Sequence, residues 1–144
     1  MKRIVALICV VIGCRSVPAG MATGAASPRA AVEVLLAGAN AQDLQAISAV
    51  FGDETGLARD RNSRDVTESR SFIMACVLKS ETRRLSDAQP VGNGRMFVSA
   101  DLTQGTNSGT IRFEVAPTSA GRWLVANFDL SVLQNRGFCA RPDA

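Results

Sequence analysis

Apolar residues recur at three- and four-residue spacing up to about residue 78 and at every second residue from about 95 onward. A period near 3.6 buries one stripe of a helix, and a period of two buries one face of a strand. A chain that changes period once, from helical to alternating, folds as α+β with its helices first. Ser27-Pro28 supplies an N-cap and a first-position proline, after which Ala31, Val34 and Leu35 fall at i, i+3 and i+4. Gly38 sits where a helix-ending glycine belongs, and Asn40 is placed to cap a second helix carrying Leu44, Ile47, Val50 and Phe51. Asn62 or Ser63 opens a third helix that runs to about Leu78, with Val66, Ile73 and Val77 on its apolar face.

Downstream, Met96, Val98, Ala100 and Leu102 alternate with Phe97, Ser99 and Asp101, and Ile111, Phe113 and Val115 alternate with Arg112 and Glu114. Residues 122–130 make a third strand around Trp123, Val125 and Phe128, and residues 82–87 a weaker one ahead of them. Gly92-Asn93-Gly94, the stretch 105–109 and the stretch 117–121 provide the turns. An antiparallel meander follows from that spacing.

The start of the chain carries an address. Lys2-Arg3 precedes nine apolar residues ending at Gly13-Cys14, the n-region and h-region of a secretory signal. Nine residues span about 14 Å as a helix, far short of a hydrocarbon core of roughly 30 Å. Val11-Ile12-Gly13-Cys14 resembles a bacterial lipobox, which implies diacylglyceryl attachment at Cys14 and a lipid anchor in the cell envelope. Val17-Pro18-Ala19 and Gly20-Met21-Ala22 offer ordinary signal peptidase another cut, which would release an unanchored secreted or periplasmic protein. The expected plan is a signal over 1–13, a flexible tether over 14–26 and one α+β domain over 27–144.

Cys9 leaves with the signal and Cys14 is lipidated or removed, so Cys76 and Cys139 are the remaining thiols in an oxidising compartment. A disulfide between them is the simplest outcome, with two free thiols as the alternative. Their sparseness argues against a metal cluster. The chain has no histidine and no tyrosine, which removes Ser-His-Asp and Cys-His catalysis and histidine-ligated metals. Sixteen Lys and Arg against thirteen Asp and Glu leave a mature charge too small for a nucleic-acid-binding stripe. No cofactor is expected.

The opening 27–32, the helix from Asp43-Leu44 to Val50-Phe51 and the late Gly121-Arg122-Trp123-Leu124-Val125 with Phe128-Asp129-Leu130 resemble the nuclear-transport-factor-2-like superfamily. That resemblance implies a strongly curved sheet wrapped around helices as a cone, often with an apolar pocket. Superfamily enzymes pair a carboxylate with tyrosine or histidine, and this chain has neither. The expectation is therefore a non-enzymatic module that docks an envelope protein or holds a small apolar ligand.

Candidate site residues follow from that cone. Arg70 falls on the apolar face of the third helix, where a cation binds an anion, pairs with Asp101, Glu114 or Asp129, or snorkels to solvent. Trp123 and Asp129 are the other candidate ligand contacts, although Trp123 also reads as core. Asp101, Glu114 and Asp129 lie on successive strands; convergence inside the cone would allow acid–base chemistry of the lyase or isomerase kind, and solvated strand faces are the plainer account. The arginine-rich run 59–65 reads as an anion-gripping loop or as a solvated helix start.

Overall fold

The computed structural model describes residues 23–140, so the expected signal, Cys14 and the expected cleavage sites within 17–22 lie outside the described residues. The chain is mixed α+β. Helices α1 (Pro28–Ala41), α2 (Leu44–Ser48) and α3 (Arg64–Val77) are interrupted by a small hairpin, β1 (Gly52–Asp53) and β2 (Gly56–Leu57), and by a 3-10 turn at Ala58–Asp60. Strands β3 (Thr82–Leu85), β4 (Gln89–Gly92), β5 (Arg95–Gln104), β6 (Asn107–Pro117) and β7 (Trp123–Phe128) follow, then a short α4 (Ser131–Gln134). The antiparallel order is β3-β5-β6-β7, with β4 sharing β5's outer edge alongside β3.

The alternating pattern sets the sheet's two faces. Val98, Ala100 and Leu102 on β5 and Ile111, Phe113 and Val115 on β6 turn inward, each 2% exposed or less. Register pairs Leu102 with Gly109 and Val98 with Phe113. The β5–β6 turn is tighter than the expected stretch 105–109: Gln104 pairs with Asn107, so Gly105 (φ 59°) and Thr106 alone make the loop. Ala31, Val32, Leu35, Leu36 and Ala39 of α1 pack onto the sheet's inner face and are fully buried. Each large side chain so buried contributes about 1.5–3 kcal/mol. Phe138 and Leu133 close the same core from the C-terminal end.

Three helix details depart from expectation. First, α1 continues through Gly38, which is buried inside the helix rather than at its end. A Cβ on Gly38 would sit 3.1 Å from Ile47 Cγ1, so the glycine admits α2. Gln42 ends α1 in the left-handed region (φ 55°), held by its own amide, which donates to the Ala39 and Ala75 carbonyls at 2.6 and 2.9 Å. Second, Asp43 rather than Asn40 caps α2, accepting from the Gln45 and Ala46 amides. Third, α3 is rotated from the expected face. Ser71, Met74, Ala75, Val77 and Leu78 are buried, while Val66 and Ile73 are 41% and 48% exposed. Small Ala75 and Ser71 let α3 lie close to its neighbours, and that packing selects the face over bulk hydrophobicity.

Cys76 and Cys139 are joined, with Cα atoms 5.4 Å apart. The bridge pins the C-terminal segment to the end of α3. Gln104 reinforces it: its amide donates to the Cys76 and Lys79 carbonyls and its oxygen accepts from the Cys139 amide at 2.7 Å. At the other end, Gly24 and Ala25 belong to the fold and not to the expected tether over 14–26. Ala25 is 4% exposed and pairs antiparallel with Trp123. Among the described residues no helix is long and apolar enough to cross a membrane.

Candidate functional site

Helix α3 and strand β7 converge without closing on each other. Between them lies an open cleft of about 230 Å³, lined by Phe51, Arg70, Ile73, Met74, Phe128 and Leu130, with Asn127 at the strand side. Its floor is aromatic. Phe128 meets Phe51 edge-on at 5.9 Å between centroids and Phe113 at 5.1 Å, so its ring is fixed from two sides. Phe51 arrives there because its backbone bridges in parallel to Val125. Ile73 supplies the outer wall, and Val66 and Val132 are further exposed apolar side chains on α3 and α4.

Among the described residues Arg70 is the one charged residue of that lining. It is exposed, and among the described residues no carboxylate lies within ion-pair distance of its guanidinium. The three carboxylates considered as its partners are engaged elsewhere. Asp101 accepts from Thr110 at 2.6 Å and from Arg84 at 3.4 Å, and these bonds hold its carboxyl below the usual range. Glu114 accepts from Arg95 at 2.6 Å. Asp129 accepts from the Ser131 amide at the start of α4, and the Ser131 contacts lower its pKa. Asp101 and Glu114 alternate with buried residues and so face away from the core, opposite to the convergence considered above.

Of the sequence candidates, the fold brings Arg70 to the cleft and sets Asp129 beside its Phe128–Leu130 rim. Trp123 stands at the opposite end of β7, partly buried against the core and paired through its backbone to Ala25, outside the cleft lining. Sequence reasoning missed Phe51, Ile73 and Asn127 as site residues. Phe51 and Ile73 read as helix-face core, and nothing local announces that α3 stops short of β7.

The arginine run is largely neutralised. Arg61 holds Asp53 through two nitrogens, at 2.7 and 2.9 Å, Arg64 reaches Glu68 at 2.6 Å, and Arg59 donates to Ser48 Oγ at 3.3 Å. Arg95 bridges Glu54 and Glu114, which raises its own pKa and lowers that of Glu54. Among the described residues no three carboxylates or thiols come together as a metal site.

The interior of the described residues is apolar and closed to solvent. Phe113, Phe138, Leu35, Leu36, Ile47 and Leu78 are all within 2% of complete burial. What the arrangement offers is a shallow external cleft with an aromatic floor, aliphatic walls and one cation. Comparison with protein-family models, curated proteins and solved structures found no match for the chain.

Proposed function

We propose that this protein is an exported, lipid-anchored envelope module without catalytic activity that docks an apolar group of a partner in the α3–β7 cleft. The single observation carrying the reading is the outward turn of α3. Ile73 and Val66 leave the core and stand exposed at and near an open aromatic-floored cleft, while the core side chains themselves are buried. A cluster of exposed apolar side chains beside a preformed hollow marks a contact surface. At about 230 Å³ the cleft falls below the roughly 300–1,000 Å³ of sites that enclose a small molecule. Docking therefore accounts for it better than carriage of a free ligand. Export and the anchor rest on the basic–apolar start and on Cys14.

We read the architecture as a nuclear-transport-factor-2-like cone. Support comes from the order of elements, helices first and then a meander, and from α1 lying against β5, β6 and β7. In this reading the cone is packed solid and works through its rim.

The test is titration of ¹⁵N-labelled protein with N-acetylphenylalaninamide, an uncharged single aromatic side chain. Shifts concentrated on Ile73, Met74 and Phe128, with a Kd in the millimolar range, about 4 kcal/mol of binding, are expected. Shifts absent there, or spread evenly over the surface, defeat the reading.

A further inference from the structure

We infer that the group docked in the α3–β7 cleft is the C-terminal residue of a partner polypeptide: a large apolar side chain with its own carboxylate held by Arg70. The inference rests on the docking reading and names its occupant.

Charge is the first argument. Among the described residues Arg70 is the only charged side chain lining the cleft, and no carboxylate meets it. A guanidinium beside an apolar hollow is complementary to one anion attached to one apolar body, and its planar fork matches a carboxylate through two parallel hydrogen bonds. Size is the second. The hollow has room for one large side chain, and its openness to solvent leaves the rest of a chain outside. A long acyl chain would need a longer, wholly apolar groove, whereas this hollow of about 230 Å³ includes polar Asn127 and charged Arg70 in its lining.

Spacing is the third. Only at a C-terminal residue do the side chain and a carboxylate share one Cα. An internal Asp or Glu places its acid on a different residue from the apolar side chain. Asn127, exposed and in the same lining as Arg70, presents an amide able to donate to and accept from the last peptide group. Capture of a terminal carboxylate is a recurring mode of peptide recognition.

The experiment compares three probes on the full protein as the cell matures it, by the same nitrogen-15 titration. These are acetyl-Gly-Gly-Phe with a free C-terminus, the same peptide as its C-terminal amide, and decanoate. The acid is expected to bind about five-fold more tightly than the amide, the scale of one exposed ion pair near 1 kcal/mol. Arg70→Gln should bring the ratio of acid to amide affinity, both measured on the same variant, close to one, and Arg70→Lys should restore part of it. Arg70 is exposed, so both variants should melt with the wild type. Equal affinity for acid and amide overturns the inference and leaves docking intact. Tighter binding of decanoate than of the acid peptide overturns it in favour of a fatty anion. Failure of all three probes to shift Ile73 and Phe128 removes the docking reading as well.

Discussion

Asn40 and Ser80, forty residues apart, form a closed pair: the Asn40 amide donates to the Ser80 carbonyl at 3.0 Å and its oxygen accepts from the Ser80 N–H at 2.8 Å. One side chain thereby satisfies both backbone groups of a buried residue just beyond α3. It also ties the last turn of α1 to the chain's entry into the sheet. Asn40→Ala leaves two buried polar groups without partners and should cost about 2–3 kcal/mol. Urea unfolding should show it as a lower midpoint at constant slope; a change under 0.5 kcal/mol, roughly the scatter of surface substitutions, would mean that water replaces the amide.

The Cys76–Cys139 bridge closes a separation of 63 residues. In the chain-entropy account its loss should lower stability by about 4 kcal/mol. The Gln104 bonds to both cysteines' backbones should keep the C-terminal segment docked after reduction. We therefore expect reduced protein to keep its far-ultraviolet dichroism while melting earlier, and Gln104→Ala to make reduction unfold it outright. Both cysteines alkylating readily in native, unreduced protein would remove the bridge.

Gly52 tolerates no side chain. A Cβ there would press on the Gly56 carbonyl and sit 2.8 Å from Leu57 Cα, both backbone atoms that cannot swing aside. Gly52→Ala should destabilise by about 1–3 kcal/mol and should also disturb the cleft, because neighbouring Phe51 forms part of its floor. Unaltered thermal stability would show that the β1–β2 hairpin opens at little cost.

Acid should loosen the same hairpin. Hydrogen bonds from Thr55 and then Arg61 lower the Asp53 pKa, and Arg95 lowers that of Glu54. A depressed folded pKa contributes stability above the unfolded value, lost as pH falls through the folded one. Stability should thus be level above about pH 5 and decline below about pH 4. In Asp53→Asn with Glu54→Gln the decline should be shallower, as read by urea midpoints across that range. An identical slope would place the responsible carboxylates elsewhere.

The proposed export and lipid anchor give a chemical prediction at Cys14. Protein extracted from membranes should begin at residue 14 with a diacylglyceryl group on its sulfur, as read by intact mass. An unmodified start after Ala19 or Ala22 would make the protein unanchored.

Strands β5 and β6 were legible because each alternates over at least three apolar positions, burying Val98, Ala100, Ile111 and Phe113 together; β4 (Gln89–Gly92) and the two-residue β1 and β2 carry no such pattern and were not expected. The disulfide followed from counting thiols. Helix ends were less readable: Gly38 and Asn40 look like local stop and start signals, but their roles are set by Ile47 and Ser80, which only the tertiary fold brings near. The same holds for the cleft. Val66 and Ile73 keep helical spacing with Val77, and spacing cannot say whether an apolar stripe meets a core or an opening.

Arg122 grips the chain just where it enters the fold, donating to the Gly24 carbonyl at 2.9 Å and to the Thr23 carbonyl at 3.3 Å. Beside it, Ala25 and Trp123 exchange two backbone hydrogen bonds at 2.9 and 2.8 Å. A pull on residue 23 is therefore met by β7 and its arginine before α1 feels any load. The arrangement works as strain relief on a cable, so that tension from an attachment upstream would spare the helix packing and the distant α3–β7 cleft.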